Sequence, residues 1–295
     1  MNKNIQVDTK LDSETVHIDP RIQRILSSAI RARGGVTQNI RPNKNFWGPS
    51  FFALDKVGCF CRAQEGVQNN IIEEMCQSLL EEAYYIERIG ISFCAKMTLL
   101  ADRLEERKLY SFFASDEAMH LELISSQMKF ERRKSETQPF LKFLANVVEN
   151  GNRMSLIYVV QILLEGWGIF HYNRLAKGCR DLPMKKILMQ ILRDETRHHG
   201  SGLALFDENE MTKEEFEENL EILVTFFEMV KAGPTRLMNC LEKYLGPLTK
   251  TEGNKVLNEL NAEQTIHQST AYLLNLISTK KSQGLVNTLN TRLNV

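Results

Sequence analysis

The sequence predicts an all-α fold built on a four-helix bundle, with additional helices at its N- and C-terminal ends. Three observations predict it. Apolar residues recur with a helical period along most of the chain beyond residue 68, and no useful length alternates with the period of a half-buried strand. Two segments also repeat each other without a gap: Glu87, Gly90, Ile91, Leu104, Lys108, Asp116, Glu117 and His120 return as Glu165, Gly168, Ile169, Leu182, Lys186, Asp194, Glu195 and His198.

At 295 residues the chain is long enough for one compact helical domain with appendages. Apolar residues make up 43% and charged residues 25%, the balance of a soluble globular protein. Thirty-seven basic residues offset thirty-seven acidic ones. That balance gives no broad pull toward nucleic acid or an anionic membrane, and leaves open a local patch.

Residues 1–68 read as an N-terminal arm with one short helix near Pro20 to Ala32, followed by Gly34-Gly35, Pro42, Gly48 and Pro49. The bundle is expected over residues 69–206. Its first helix, about 70–102, sets Ile72, Cys76, Leu79, Ala83, Ile86, Gly90, Phe93 and Met97 on one stripe. The second runs over about 105–133 and the third over about 153–177; the fourth begins near Pro183, a residue favoured in a first turn, and ends near Phe206. Short turns make each consecutive pair an antiparallel hairpin, and residues 134–152 suit a crossover between them. Residues 207–295 add helices: Thr212 with Glu215 forms a capping box, Pro234 begins a helix, and 252–278 and 282–293 continue the pattern.

No apolar run within Met1 to Pro20 could serve as a secretory signal. The most apolar stretch, Ser155 to Phe170, carries Gln161 and Glu165 and is too short to span a bilayer. The six cysteines (59, 61, 76, 94, 179 and 240) form no CxxC pair, so reduced thiols packed in a core and a cytoplasmic location are expected.

Glu117-Ala-Met-His120 and Glu195-Thr-Arg-His198 both read Glu-x-x-His, a spacing that puts carboxylate and imidazole one turn apart on the same face. Glu87 and Glu165 each stand thirty positions earlier, across a turn, which brings them level with these pairs in an antiparallel hairpin. One Glu-x-x-His is common on solvated helices; two in register, each with a matched upstream glutamate, point to metal. The expected ligands are Glu87, Glu117, His120, Glu165, Glu195 and His198, with Glu117 and Glu195 bridging two ions. The segment around Glu165 is apolar on nearly all sides, so an uncompensated carboxylate there would cost several kcal/mol. Four carboxylates facing two divalent cations cancel formally. Oxygen and imidazole donors suit iron or manganese. Asp116 and Asp194 are candidates to bond the histidine of the opposite hairpin. Glu82 borders the same stripe as Glu87 and is its rival; His199, about 100° from His198, belongs outside the ligand set. His17, His171 and His267 have no partner pattern. Tyr84, Gly90 and Gly168 are candidates for a substrate pocket beside the metals.

Residues from about 70 to 206 resemble the ferritin-like di-iron carboxylate superfamily, and Asp194-Glu195-Thr196-Arg197-His198 is similar to the Asp-Glu-x-Arg-His motif of bacterial di-iron monooxygenases. The ligand set also resembles that of aryl-amine N-oxygenases and aldehyde-deformylating oxygenases. Departures separate the chain from other users of this scaffold. Ile124 occupies the position of the usual radical-bearing tyrosine of ribonucleotide reductase subunits, and the CxxC-based iron domain of rubrerythrin-type peroxidases is missing. Ferritins are shorter, and Ile191 stands where N-oxygenases commonly place a third histidine. What the resemblance implies is an O2-dependent oxidoreductase with two iron ions, O2 as cosubstrate, a small-molecule substrate and an external electron donor of the ferredoxin/reductase type. It implies neither a nucleic-acid partner nor a membrane span, and it is compatible with a homodimer.

Overall fold

The structure, a computed structural model, describes residues 20–34, 45–128 and 139–293, and all regular structure among these is helical. Eleven helices of ten residues or more follow in order: α1 (Pro20–Ala32), α2 (Glu65–Leu100), α3 (Leu104–Ser125), α4 (Pro139–Asn150), α5 (Arg153–Gly178), α6 (Leu182–Leu205), α7 (Lys213–Lys231), α8 (Thr235–Leu245), α9 (Lys250–Glu259), α10 (Ala262–Ile277) and α11 (Gln283–Leu293). His17 and two parts of the expected arm, residues 1–19 and 35–44, lie outside the described residues, and α3, expected to run to about 133, ends at Ser125.

Contacts divide the chain into two compact units, and the division falls within α2 and α5 rather than between segments. The first holds α1 and Leu80–Leu156. Its core is the α2–α3 hairpin, in which Phe93, Tyr110 and Phe113 meet edge to face. The crossover stretch contains a full helix, α4. Lys96 on α2 donates to the carbonyl oxygens of Val148, Glu149 and Gly151 at 3.0, 2.9 and 2.7 Å, taking up carbonyls that the end of α4 leaves without helical partners.

The second unit holds Asn43–Leu79 and Ile157–Val295. Asp181 caps α6 by accepting from the Met184 N–H at 2.8 Å, and Pro183 sits in its first turn, as its sequence predicts. The Trp47 indole N–H donates to the Leu175 carbonyl at 2.9 Å, and the Arg180 N–H to the Phe46 carbonyl at the same distance, pinning the segment before α2 against the α5–α6 turn. The capping box of Thr212 and Glu215 is complete, and Thr249 with Glu252 forms a second one that starts α9 earlier than expected. The stretch expected to be one helix over 252–278 is broken where Asn261 takes a left-handed conformation (φ 50°), which ends α9 and starts α10. Tyr158 is buried, stacks on Phe206 and donates to the Ile277 carbonyl at 3.2 Å, so α10 closes over the α5–α6 hairpin.

Within α5 the nine residues Leu156–Leu164 wind as a π-helix. This wider turn is rare and concentrates at functional sites. As a continuous helix α5 has the length to cross a membrane, longer than the apolar stretch alone suggested, but its apolar window is mostly buried inside the protein. The six cysteines are free thiols; Cys76, Cys94 and Cys240 are buried, whereas Cys61 is exposed rather than packed in the core. Burial raises the thiols of Cys59 and Cys179, and that of Cys76 to about 11, which keeps them protonated and unreactive.

Candidate metal centre

Each hairpin gathers one glutamate from its first helix and a Glu-x-x-His pair from its second. The repeat extends to the helix boundaries: α2 ends at Leu100 and α5 at Gly178, α3 begins at Leu104 and α6 at Leu182, both pairs keeping the offset of Glu87 and Glu165. The turn therefore falls at the same place in both copies, and the lone glutamate meets the same face of the returning helix.

In the first unit the ligating atoms of Glu87, Glu117 and His120 lie within 4.8 Å of one another. His120 is fully buried, and Glu87 is only 1% exposed. The His120 Nδ1 stands 3.1 Å from Glu87 Oε2 and 3.9 Å from Glu117 Oε2, so Nδ1 faces the carboxylates. Burial first, and the Glu87 carboxylate second, push Glu117 well above the usual carboxylate range, while His120 pulls the other way. Glu82 is only half-buried and belongs to neither cluster, so Glu87 is the residue of this stripe that reaches the histidine.

In the second unit the ligating atoms of Glu165, Glu195 and His198 meet the same 4.8 Å criterion. Here His198 Nδ1 is 4.0 Å from Glu195 Oε2, the counterpart of the His120–Glu117 distance. Glu195 and His198 are buried, but Glu165 is half-buried. The exposure of Glu165 belongs to the rest of the residue, because its carboxylate Oε2 is itself buried, as the apolar run around it predicts.

Both trios therefore form Glu/Glu/His clusters, largely buried, that could hold metal ions. Their chemistry fits a divalent cation with hard or borderline preferences, since each offers two carboxylate oxygens and one imidazole nitrogen and no thiolate. A backbone feature supports the fit. A Cβ added at Gly90 would fall 2.6 Å from Glu117 Oε2, so Gly90 leaves the space that the carboxylate occupies. At the equivalent Gly168 a Cβ would meet nothing within 4 Å, and at Gly166 it would meet the His199 ring at 2.9 Å.

Two residues near the second trio gain roles that the sequence reading left unassigned. His199 Nδ1 hydrogen-bonds the Gln161 carbonyl of the π-helical segment at 3.0 Å. The Gln161 side chain, fully buried, donates to Ser201 Oγ at 2.9 Å and to the His198 carbonyl at 3.3 Å. Together they tie the turn preceding Glu165 to the turn carrying His198. The signal was a lone amide in an aliphatic run one turn before Glu165. Replacing it by Gln161→Leu should destabilise the fold by about 1–3 kcal/mol through orphaned partners. It should also weaken metal binding about tenfold by loosening His198; denaturant melts and metal titration measure the two effects.

Of the remaining candidates, Asp194 is half-buried and pairs with the exposed Arg197 on its own helix at 2.5 Å, which gives the Arg of the Asp-Glu-x-Arg-His motif a structural partner. Asp116 lies half-buried beside Glu117 and adds to the charge that raises it. Tyr84 is half-buried and packs edge to face on Tyr85 at 5.3 Å. His171 and His267 belong to neither cluster. In comparisons with known proteins, no family model matches the sequence, no curated protein is significantly similar to it, and no solved structure is significantly similar to its fold.

Proposed function

We propose that the chain is a non-haem di-iron oxygenase that uses O2 to oxidise a small organic substrate, by hydroxylation, N-oxygenation or oxidative C–C cleavage. The observation that carries this reading is the presence of two largely buried Glu/Glu/His trios in the same register on repeated hairpins. In this reading Glu87, Glu117 and His120, with Glu165, Glu195 and His198, would hold the two ions. When bound, iron supplies the electrons that activate O2 and the oxidising power delivered to the substrate.

The protein's own residues bind, orient and manage protons. Burial and the Glu87 carboxylate favour the protonated form of Glu117, so a bound cation would compete with that proton and metal loading should strengthen with rising pH. His120 and His198 each present Nδ1 to the carboxylates. Asp116 and Asp194 are assigned to steady the two rings, and Gln161 with His199 fixes the approach of the second trio.

The test is anaerobic loading with ferrous iron, followed by metal analysis and Mössbauer spectra before and after O2. Two irons per chain, a coupled diferric spectrum and O2 uptake in proportion to an oxidised product are expected. One iron per chain, or a site that takes only zinc, would remove the oxygenase reading. Loading far beyond two irons would assign the chain to iron storage, and a stable tyrosyl radical would assign it to a radical-generating subunit.

A further inference from the structure

The helix α1 differs from every other helix labelled above in burying none of its residues. At about 100° per residue, Ile22, Ile25, Leu26, Ala29, Ile30 and Ala32 fall within one arc of about 160°. Gln23, Ser27, Ser28, Arg21, Arg24 and Arg31 occupy the other side. Ile22, Ile25 and Leu26 are 57%, 66% and 51% exposed and Ala29 and Ile30 half-buried, so most of the aliphatic face is open. From Pro20 to Gly34 there are four arginines and no acidic residue, in a chain whose charges balance overall. Gly34, in the left-handed region at φ 76°, donates to the Arg31 carbonyl at 3.1 Å and stops the helix in the manner of a C-terminal glycine cap.

We infer that α1 is an interfacial helix that lies flat on an anionic lipid surface, with its aliphatic face in the acyl boundary and its arginines among the headgroups. An aliphatic face with an arginine-rich opposite face is the pattern of such helices. Charge selects the partner, because a run of arginines without a carboxylate is drawn to a negative surface and held off a neutral one. The aliphatic arc has no aromatic or polar side chain within it. A lipid boundary asks only for breadth and charge. This inference is independent of the metal site and would place the chain where apolar substrates are concentrated.

The test uses the full chain in sedimentation with phosphatidylglycerol/phosphatidylcholine vesicles, against phosphatidylcholine alone, at low and high salt. Binding to the anionic vesicles only, falling as salt rises, is expected. Arg21→Gln with Arg24→Gln and Arg31→Gln should lower partitioning about a hundredfold, as loss of three basic residues near an anionic surface implies. Ile22→Asp with Ile25→Asp should abolish binding; neither set touches a buried side chain, and circular dichroism and melting should match the parent. Equal binding to neutral vesicles, or no effect of either set, overturns the inference. So does self-association without lipid that Ile22→Asp with Ile25→Asp removes, which would give the face to a second copy. Binding to polyglutamate but not to vesicles would give it to an acidic protein.

Discussion

Glu117→Gln should weaken iron binding by more than about a hundredfold, beyond the ten- to hundredfold cost of losing an outer partner of a ligand, and should nevertheless make the metal-free chain more stable at alkaline pH. Both effects have one origin. Glu117 is buried beside the Glu87 carboxylate, and these two influences raise it well above the usual range. An acid raised in the folded state binds its proton more tightly there than in the unfolded chain. Its contribution to stability is fully present below the ordinary carboxylate range and is lost as pH rises through the raised value. Glutamine keeps the shape of the protonated side chain and cannot ionise. Melting curves of chelated parent and Glu117→Gln should therefore coincide near pH 4 and diverge upward in pH. The variant should lead by on the order of 1–3 kcal/mol at pH 9, the scale of an uncompensated buried polar group. Adding ferrous iron should reverse the order, because only the parent has the full ligand set. Parallel curves across pH would show that Glu117 is not the strained member of the cluster.

Gly90→Ala and Gly168→Ala form a matched pair with opposite expected results. Either change removes a helix-interior glycine, which by itself favours the helix by about 1 kcal/mol. At Gly90 the new Cβ meets Glu117 Oε2 at 2.6 Å, Cδ at 2.9 Å and Cγ at 3.2 Å, so the carboxylate must move. Metal affinity should fall at least about tenfold, the loss expected when a ligand is displaced from its supported position. At Gly168 nothing lies within 4 Å, so stability should rise by up to about 1 kcal/mol with metal affinity unchanged. Isothermal metal titration with thermal melts of both variants separates the cases. Equal affinities for the two variants would mean that the Glu117 carboxylate has another place to go.

The hairpins and their six polar residues were legible because they recur: a turn at one offset and a Glu-x-x-His spacing are local, periodic features. The choice of Glu87 over Glu82 also came from the repeat, and the contact of Glu87 with His120 agrees with it. The π-helical winding of Leu156–Leu164 was not legible, since a run apolar on every side has no period from which to read its pitch. The break at Asn261 was missed because a single left-handed residue leaves the apolar spacing on either side intact. Gly90 shows a further limit. Its sequence position suggested substrate space, and only the side chain opposite reveals that it admits a carboxylate.

The π-winding before Glu165 has no counterpart before Glu87, where α2 runs as an ordinary α-helix. The duplicated halves have thus diverged in pitch upstream of the residues they still share. One copy carries a fully buried glutamate in contact with its histidine, and the other a half-buried glutamate whose Oε2 is nonetheless enclosed. Matched donors thus sit on helices wound at different pitch, and the two halves of the repeat are not equivalent.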